Sequence, residues 1–404
     1  MKFQIINKVR NISLVLVAAS FTFTSCNKDL PLATPIITPV PGGNTIGDVL
    51  NTDTTYSILK AAVVRAGMLP ALSDRNSTRY TMYAPNNAAF RLSGIANEAV
   101  IGVLPLASVV ALVQYHIVGG QALPSSLVPT TFPNIQEPTS LVLSAPFLRM
   151  STFPSKRGAS MWVNSIPVTS PDIALANGTM HQMLAVLNPP SLVLAQIIYA
   201  DPNLTYFTAA VARADSGQVG LARLDSLLKY PPLNMTVLAP NDGAFKAFLD
   251  TNIRRALIGM GVPPATAAAQ ATGLASTPGV FTNPALAAVL TPATVKGVLA
   301  YHFLASKNTN PAAFQPDVRA FSVNFPTTPG FVTTLVNSAV AAHPGVMAQA
   351  TFTGPFVSSL KFTGLGTLPS GGAAFSGTAA NATAQDRHAV NGITHTIDRV
   401  LLPQ

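Results

Sequence analysis

The sequence predicts an α+β protein made of two tandem copies of one domain. Three observations carry that expectation. The chain has 404 residues, too many for one ordinary core and suited to two domains. Three short blocks occur twice, in the same order. In turn they read as a strand running into a capped helix, a second helix, and a β-hairpin.

In the first block, Tyr80-Thr-Met-Tyr-Ala-Pro-Asn-Asn-Ala-Ala-Phe90 matches Met235-Thr-Val-Leu-Ala-Pro-Asn-Asp-Gly-Ala-Phe245. The apolar run predicts a short strand stopped at Ala-Pro, because proline lacks a ladder N–H. Asn86 and Asn241 then stand where a side chain caps the next helix. In the second block, Leu112-Val-Gln-Tyr-His-Ile117 matches Val298-Leu-Ala-Tyr-His-Phe303. Apolar residues at helical spacing place Tyr115, His116, Tyr301 and His302 near a helix end. In the third block, Ala176-Asn-Gly-Thr-Met-His181 matches Val390-Asn-Gly-Ile-Thr-His395. Asn177-Gly178 and Asn391-Gly392 are strong turn dipeptides, and the alternation after Ile393 predicts a half-buried strand. The separation between copies grows from block to block, so the second carries two insertions of roughly 30 residues each. They are expected near 259–294 and 327–378, as loops or weak helices.

This set of blocks resembles the fasciclin domain. That family shows a Thr-Val-Phe-Ala-Pro-Thr-Asn-like first block, a central Tyr-His, and a closing Asn-Gly-x-x-His-x-Ile-Asp-x-Val-Leu-like block. Residues 390–403 are a close match to the last. The resemblance implies two tandem fasciclin-like domains, each a β-sandwich or wedge with packed helices, over 45–190 and 191–404. Pro189-Pro190 marks the boundary, and Ser191-Leu192 is expected to open the first helix of the second domain. The first copy lacks the Ile-Asp-Arg portion, so a salt bridge made by an acid equivalent to Asp398 is expected in the second copy alone.

The first 25 residues read as a secretory leader, with a basic start (Lys2, Lys8, Arg10) and an apolar core at 12–23 too short to span a bilayer. Thr24-Ser25-Cys26 resembles a bacterial lipobox, which implies a diacylglycerol thioether on Cys26, the single cysteine. Lys28-Asp29 resembles a surface-export signal of Gram-negative lipoproteins. Residues 26–44, rich in Pro and Thr, read as a tether. The expected location is therefore the cell outer membrane, lipid-anchored and surface-exposed, with the periplasmic face as the alternative.

Composition narrows the function. Only 10% of residues are charged against 48% hydrophobic, and the +9 net charge is scattered, so a nucleic-acid groove is not expected. One cysteine excludes a disulfide framework and a multi-thiolate metal site. The six histidines show no metal-ligand spacing. Their plain reading is that His116, His302, His181 and His395 satisfy backbone carbonyls between helix and sheet. No nucleophile elbow, phosphate loop or paired carboxylates are found, so neither an enzyme nor a cofactor is expected.

The resemblance implies an extracellular adhesion or binding module, with a protein or polysaccharide ligand and a membrane reached through the N-terminal lipid. In animal relatives the Tyr-His region and a Pro-Asp-Ile segment take part in recognition. That makes Tyr115, His116, Asp172, Ile173, Tyr301 and His302 the candidate binding residues; no Pro-Asp-Ile precedes Asn391. Two other classes stay open. One is an accessory protein of an outer-membrane glycan-uptake system, with Trp162 and the tyrosines as a stacking platform. The other is an envelope protein that associates weakly with itself.

Overall fold

The computed structural model describes residues 42–76, 78–129, 134–144, 148–307, 315–367 and 379–403. The leader, Cys26 and the tether up to residue 41 lie outside the described residues. The first copy opens with three helices, α1 (Ile46–Thr52), α2 (Ser57–Arg65) and α3 (Leu69–Ser73). Strand β1 (Tyr80–Pro85) follows, then α4 (Asn87–Leu92), α5 (Glu98–Val103), α6 (Leu106–Tyr115) and β2 (Ile117–Gly119). Next come β3 (Glu137–Ser144), β4 (Leu148–Thr152), β5 (Pro154–Arg157), β6 (Ser160–Val163), β7 (Ile166–Leu175) and β8 (Gly178–Met183).

The second copy repeats the plan. Helices α7 (Leu194–Tyr199), α8 (Thr205–Ala214) and α9 (Leu224–Lys229) lead into β9 (Met235–Pro240). Helices α10 (Asp242–Gly259), α11 (Pro264–Leu274) and α12 (Pro292–Ala300) precede β10 (Gly330–Val332), β11 (Val346–Thr353), β12 (Phe356–Thr363), β13 (Ala380–Ala389) and β14 (Gly392–Ile397).

Each copy has its own mixed six-stranded sheet, in the order β2-β1-β8-β7-β6-β5 and β10-β11-β12-β13-β14-β9. The shared centre is a parallel pair, β1 with β8 and β9 with β14, followed by an antiparallel hairpin, β7–β8 and β13–β14. The place of β2 beside β1 is taken in the second copy by an antiparallel bridge between Val237 and Phe303. These central strands are buried on both faces, and β1 and β9 read as apolar runs for that reason. Strand β14, expected from its alternation to be half-buried, is buried throughout, because Thr394 and His395 bond the carbonyls of Val237 and Ala320. Met82 and Ala84 face the helices, while Tyr83 between them faces a second cluster with Tyr115 and Val118. Val237 and Ala239 face helices in the same way, and Leu238 faces Tyr301 and Leu304. The sheet is thus the middle of a wedge with apolar material on either side.

Local chemistry starts the elements. Thr45 and Asp48 form a reciprocal capping box on α1, with bonds of 3.0 and 2.8 Å. Asn86 accepts from Ala89 N at 2.9 Å, and Asn241 from Ala244 N at 2.8 Å. The proline before each cap is the last residue of its strand, so β1 and β9 run one step through Ala-Pro rather than stopping before it.

Three expectations need correction. The turn residues of the two hairpins are Ala176-Asn177 and Val390-Asn391, because Leu175 pairs with Gly178 and Ala389 with Gly392. Gly178 and Gly392 are strand residues. Glycine is needed there because a Cβ would run into the backbone oxygen of Tyr80 or Met235 on the parallel neighbour. Segment 327–378, expected as loops or weak helices, holds β10, β11 and β12, half of the second sheet. Segment 259–294 holds α11 and short 3-10 turns, and the second domain's first helix begins at Leu194 rather than Ser191.

Replacing Gly392 by alanine should force β14 away from β9. We expect a loss of about 2–4 kcal/mol, of the size seen for disrupted cores, and a lower denaturation midpoint by circular dichroism. An unchanged midpoint would contradict the close approach.

Candidate functional site

The repeated polar residues sit at equivalent places in both copies, and each is spent on the chain's own backbone. Asn177 is fully buried; its Oδ1 accepts from Ile46 N at 2.9 Å and its Nδ2 donates to Leu72 O at 2.7 Å. Asn391, also fully buried, accepts from Leu194 N at 2.8 Å and donates to Leu228 O at 2.9 Å. His116 Nδ1 meets Leu112 O at 2.7 Å, and its Nε2 accepts from Leu187 N at 2.9 Å. His302 repeats this with Val298 O at 2.9 Å and Leu401 N at 3.0 Å. His181 Nε2 meets Leu123 O at 2.8 Å, and His395 Nε2 meets Ala320 O at 2.9 Å. Tyr115 donates to Ser151 O at 3.1 Å and Tyr301 to Gly345 O at 2.6 Å.

Tyr115, His116, Tyr301 and His302 are therefore not presented to a ligand: all four are fully buried, with helix and sheet around them. Asp172 stands at a break in the β7–β8 register with φ of 61°, a left-handed conformation that Asp tolerates better than most residues. Its carboxylate accepts from Ser125 N at 2.6 Å and from the Ser125 hydroxyl. Partial burial pushes this carboxyl up, but the Ser125 bonds outweigh burial and hold it below its ordinary value. Ile173 is half-buried against the helical core. Asp398 bonds Asn381 through both oxygens, at 2.7 and 2.9 Å, in place of the expected salt bridge.

Sequence reasoning missed the second copy's counterpart of Asp172. It is Asp386, with φ of 56° at the same kind of register break in β13, accepting from Ser322 N at 2.7 Å and Ser322 Oγ at 2.5 Å. The signal was its spacing: Asp386 precedes His395 as Asp172 precedes His181.

The two copies are joined by a seam that sequence did not show. Phe153 and Trp162 of the first copy pack with Phe321, Val323 and Ile393 of the second. Trp162 Nε1 donates to Pro355 O at 2.7 Å. Arg157 donates to Val323 O at 3.1 Å and Phe325 O at 2.8 Å, and lies over the Phe352 ring. Arg319, 3% exposed, donates to Val390 O at 2.8 Å and to His388 Nε2 at 3.1 Å, with its guanidinium 4.7 Å from the Phe153 ring centre. Burial pulls Arg319 down to about 10, so it stays charged at neutral pH, and burial followed by that charge drives His388 well below its usual range. Trp162 is therefore a seam residue, 3% exposed, and not a platform for sugars.

Beside the seam runs a cleft of 490 Å³, walled by Ile166 and Leu184 from the first copy and by Val323, Phe356 and Gln385 from the second. Phe356, at 53% exposure, stands at its lip. Among the described residues, no three His, Cys, Asp or Glu side chains converge in a way that would hold a metal ion.

Topology, buried motif and seam together define a tandem pair of α+β modules docked side by side. The chain matches, over residues 54–189, the family described as Fasciclin domain. It is 30% identical over 158 residues to transforming growth factor-beta-induced protein ig-h3 of Sus scrofa, a match covering 39% of this chain and 20% of that protein. The match thus spans about a fifth of that relative's length. Among solved structures, the chain is similar to a FAS1 domain pair from the insect cell adhesion molecule fasciclin I, with 15% identity and a TM-score of 0.31, over 86% of this chain and 96% of that one.

Two measurements follow from this geometry. Burial holds His116 and His302 at about 4, against an ordinary 6.5, although the Leu112 and Val298 carbonyls pull the other way. The unfolded chain binds these protons first on acidification. The stability from the neutral imidazoles is thus complete above pH 6.5 and lost as pH falls toward 4. The unfolding temperature should drop over that window, and a His116→Gln/His302→Gln variant should start lower and drop less. At the seam, Trp162→Ala removes a packed aromatic worth about 3–5 kcal/mol. Calorimetry should show one transition for the native chain and two for the variant; a single sharp transition in both would contradict a seam that couples the domains.

Proposed function

We propose that this chain is a non-catalytic, lipid-anchored binding protein of the bacterial outer surface, which attaches the cell to an extracellular protein or polysaccharide. The carrying observation is the docked seam. It holds the two copies at one spacing and sets the cleft with exposed Phe356 between them. Fasciclin domains are associated with adhesion and binding, and the repeated histidines, tyrosines and Asp172/Asp386 serve the fold through internal bonds. Anchorage rests on the lipobox resemblance at Thr24-Ser25-Cys26. Among the described residues no helix is long and apolar enough to cross a membrane. The seam changes how such an anchor works: the two domains offer one continuous surface, not two modules on a flexible linker.

Cells fed an alkyne fatty acid should label this protein, and Cys26→Ser should abolish the label. Protease added to intact cells should remove the protein while a periplasmic control survives. Cells carrying Phe356→Asp should attach less to matrix-coated or polysaccharide-coated surfaces at equal protein level. Protection from protease until the outer membrane is opened would refute surface attachment.

A further inference from the structure

The second copy departs most from the first beyond its capped helix. Helix α10 has 18 residues where α4 has six, and α11 follows it in a segment without counterpart in the first copy. The first half of α10 places Phe245 and Leu249 in the core. Its second half, with α11, the 285–290 segment and α12, encloses a cavity of 530 Å³. Phe245, Leu249 and Phe281 form its buried wall, and Met260 and Val289, 72% and 60% exposed, form its outer edge.

The chemistry of the wall restricts what fits. No ionisable side chain lines it. Its two polar side chains are already engaged: Asn252 Nδ2 donates to Phe248 O at 2.8 Å, and Thr294 Oγ1 bonds Thr291 Oγ1 at 2.8 Å. A concavity of this volume lies within the range of small-molecule sites. The buried part of an occupant must therefore be hydrocarbon, since a polar group would lose its water without a partner. A cation stands beside the wall: Arg213, partly exposed, donates through Nε to the carbonyl of the wall residue Leu290 at 2.6 Å and through one terminal nitrogen to Ala287 O at 3.4 Å, which leaves its other terminal nitrogen for a carboxylate. Methionine at the edge adapts to flexible chains.

We infer that this cavity binds the acyl chain of a free fatty acid, whose carboxylate remains in solvent near Arg213. The site is separate from the seam cleft, so it stands or falls independently of attachment.

The test is a fluorescence titration of the purified full chain with cis-parinaric acid, followed by displacement with palmitate. Saturable binding and displacement are expected. Ala256→Trp and Ala288→Trp add bulk from exposed wall positions and should each weaken binding about tenfold or more, with unchanged melting. Ala88→Trp on the first copy should bind as the native chain does. Arg213→Gln should weaken palmitate several-fold but leave hexadecanol unchanged. Absence of displacement, native affinity in both tryptophan variants, or binding to phosphatidylglycerol vesicles that palmitate does not compete would each overturn the assignment.

Discussion

Everything in this protein hangs on two buried asparagines. Asn177 and Asn391 sit at the corner of their hairpins, and each side chain binds two other parts of its domain at once. One bond fixes the N-terminus of the first helix, at Ile46 or Leu194; another fixes the chain just before the central strand, at Leu72 or Leu228. The backbone carbonyl of the same asparagine accepts from Tyr80 or Met235, the first residue of the parallel partner strand. Three segments far apart in sequence thus meet at one amide. A buried amide left half-bonded costs more than its bonds contribute when complete. The corner therefore forms as a whole, and it sets the register of the parallel pair, which has no turn of its own to set it. Gly178 and Gly392 follow from the same constraint, since the corner brings the strands too close for a Cβ.

The second corner also carries the seam. Arg319 donates to Ala389 and Val390, the residues just before Asn391, and its charge lies against Phe153 of the other domain. A buried guanidinium is tolerable when carbonyls, a neutral histidine and an aromatic face surround it. His388 stays neutral because it is buried beside that charge, which leaves its Nε2 free to accept. The fold of one copy and the docking of the pair are therefore linked through a single stretch of chain.

How much of this was legible in the sequence depended on whether a residue acts locally. The Asn86 and Asn241 caps are readable because the cap and the N–H that donates to it lie within one turn. The recurrence of Tyr-His and Asn-Gly-x-x-His was readable as repetition, and so was the duplicated architecture. The chemistry of Asn-Gly was misread, because the same dipeptide suits a type I′ turn and a close strand approach. Strands β11 and β12 were hidden by glycine-rich neighbours. Asp386 lacked the flanking proline that marked Asp172, though its distance from the following histidine was the same. The seam could not be seen at all: Arg157, Trp162 and Arg319 have no pattern of their own, and their partners lie far away in sequence.

The low charge of the chain acquires a physical reason here. A tandem fold with both sheet faces covered, plus a seam between copies, buries apolar surface on more sides than a single-layered domain does. The polar residues that remain inside are those that complete backbone bonds. What distinguishes the copies is the material around this shared frame. The first copy adds the β3–β4 hairpin, and the second extends α10 and adds α11. Recognition on such a scaffold falls to the added segments and to the faces between copies, where side chains are not already committed to the fold. The Tyr-His motif, the most conspicuous feature of the sequence, is by contrast buried and bonded within the fold. The seam cleft and the helical insertion, inconspicuous in the sequence, are where the two proposals put a ligand.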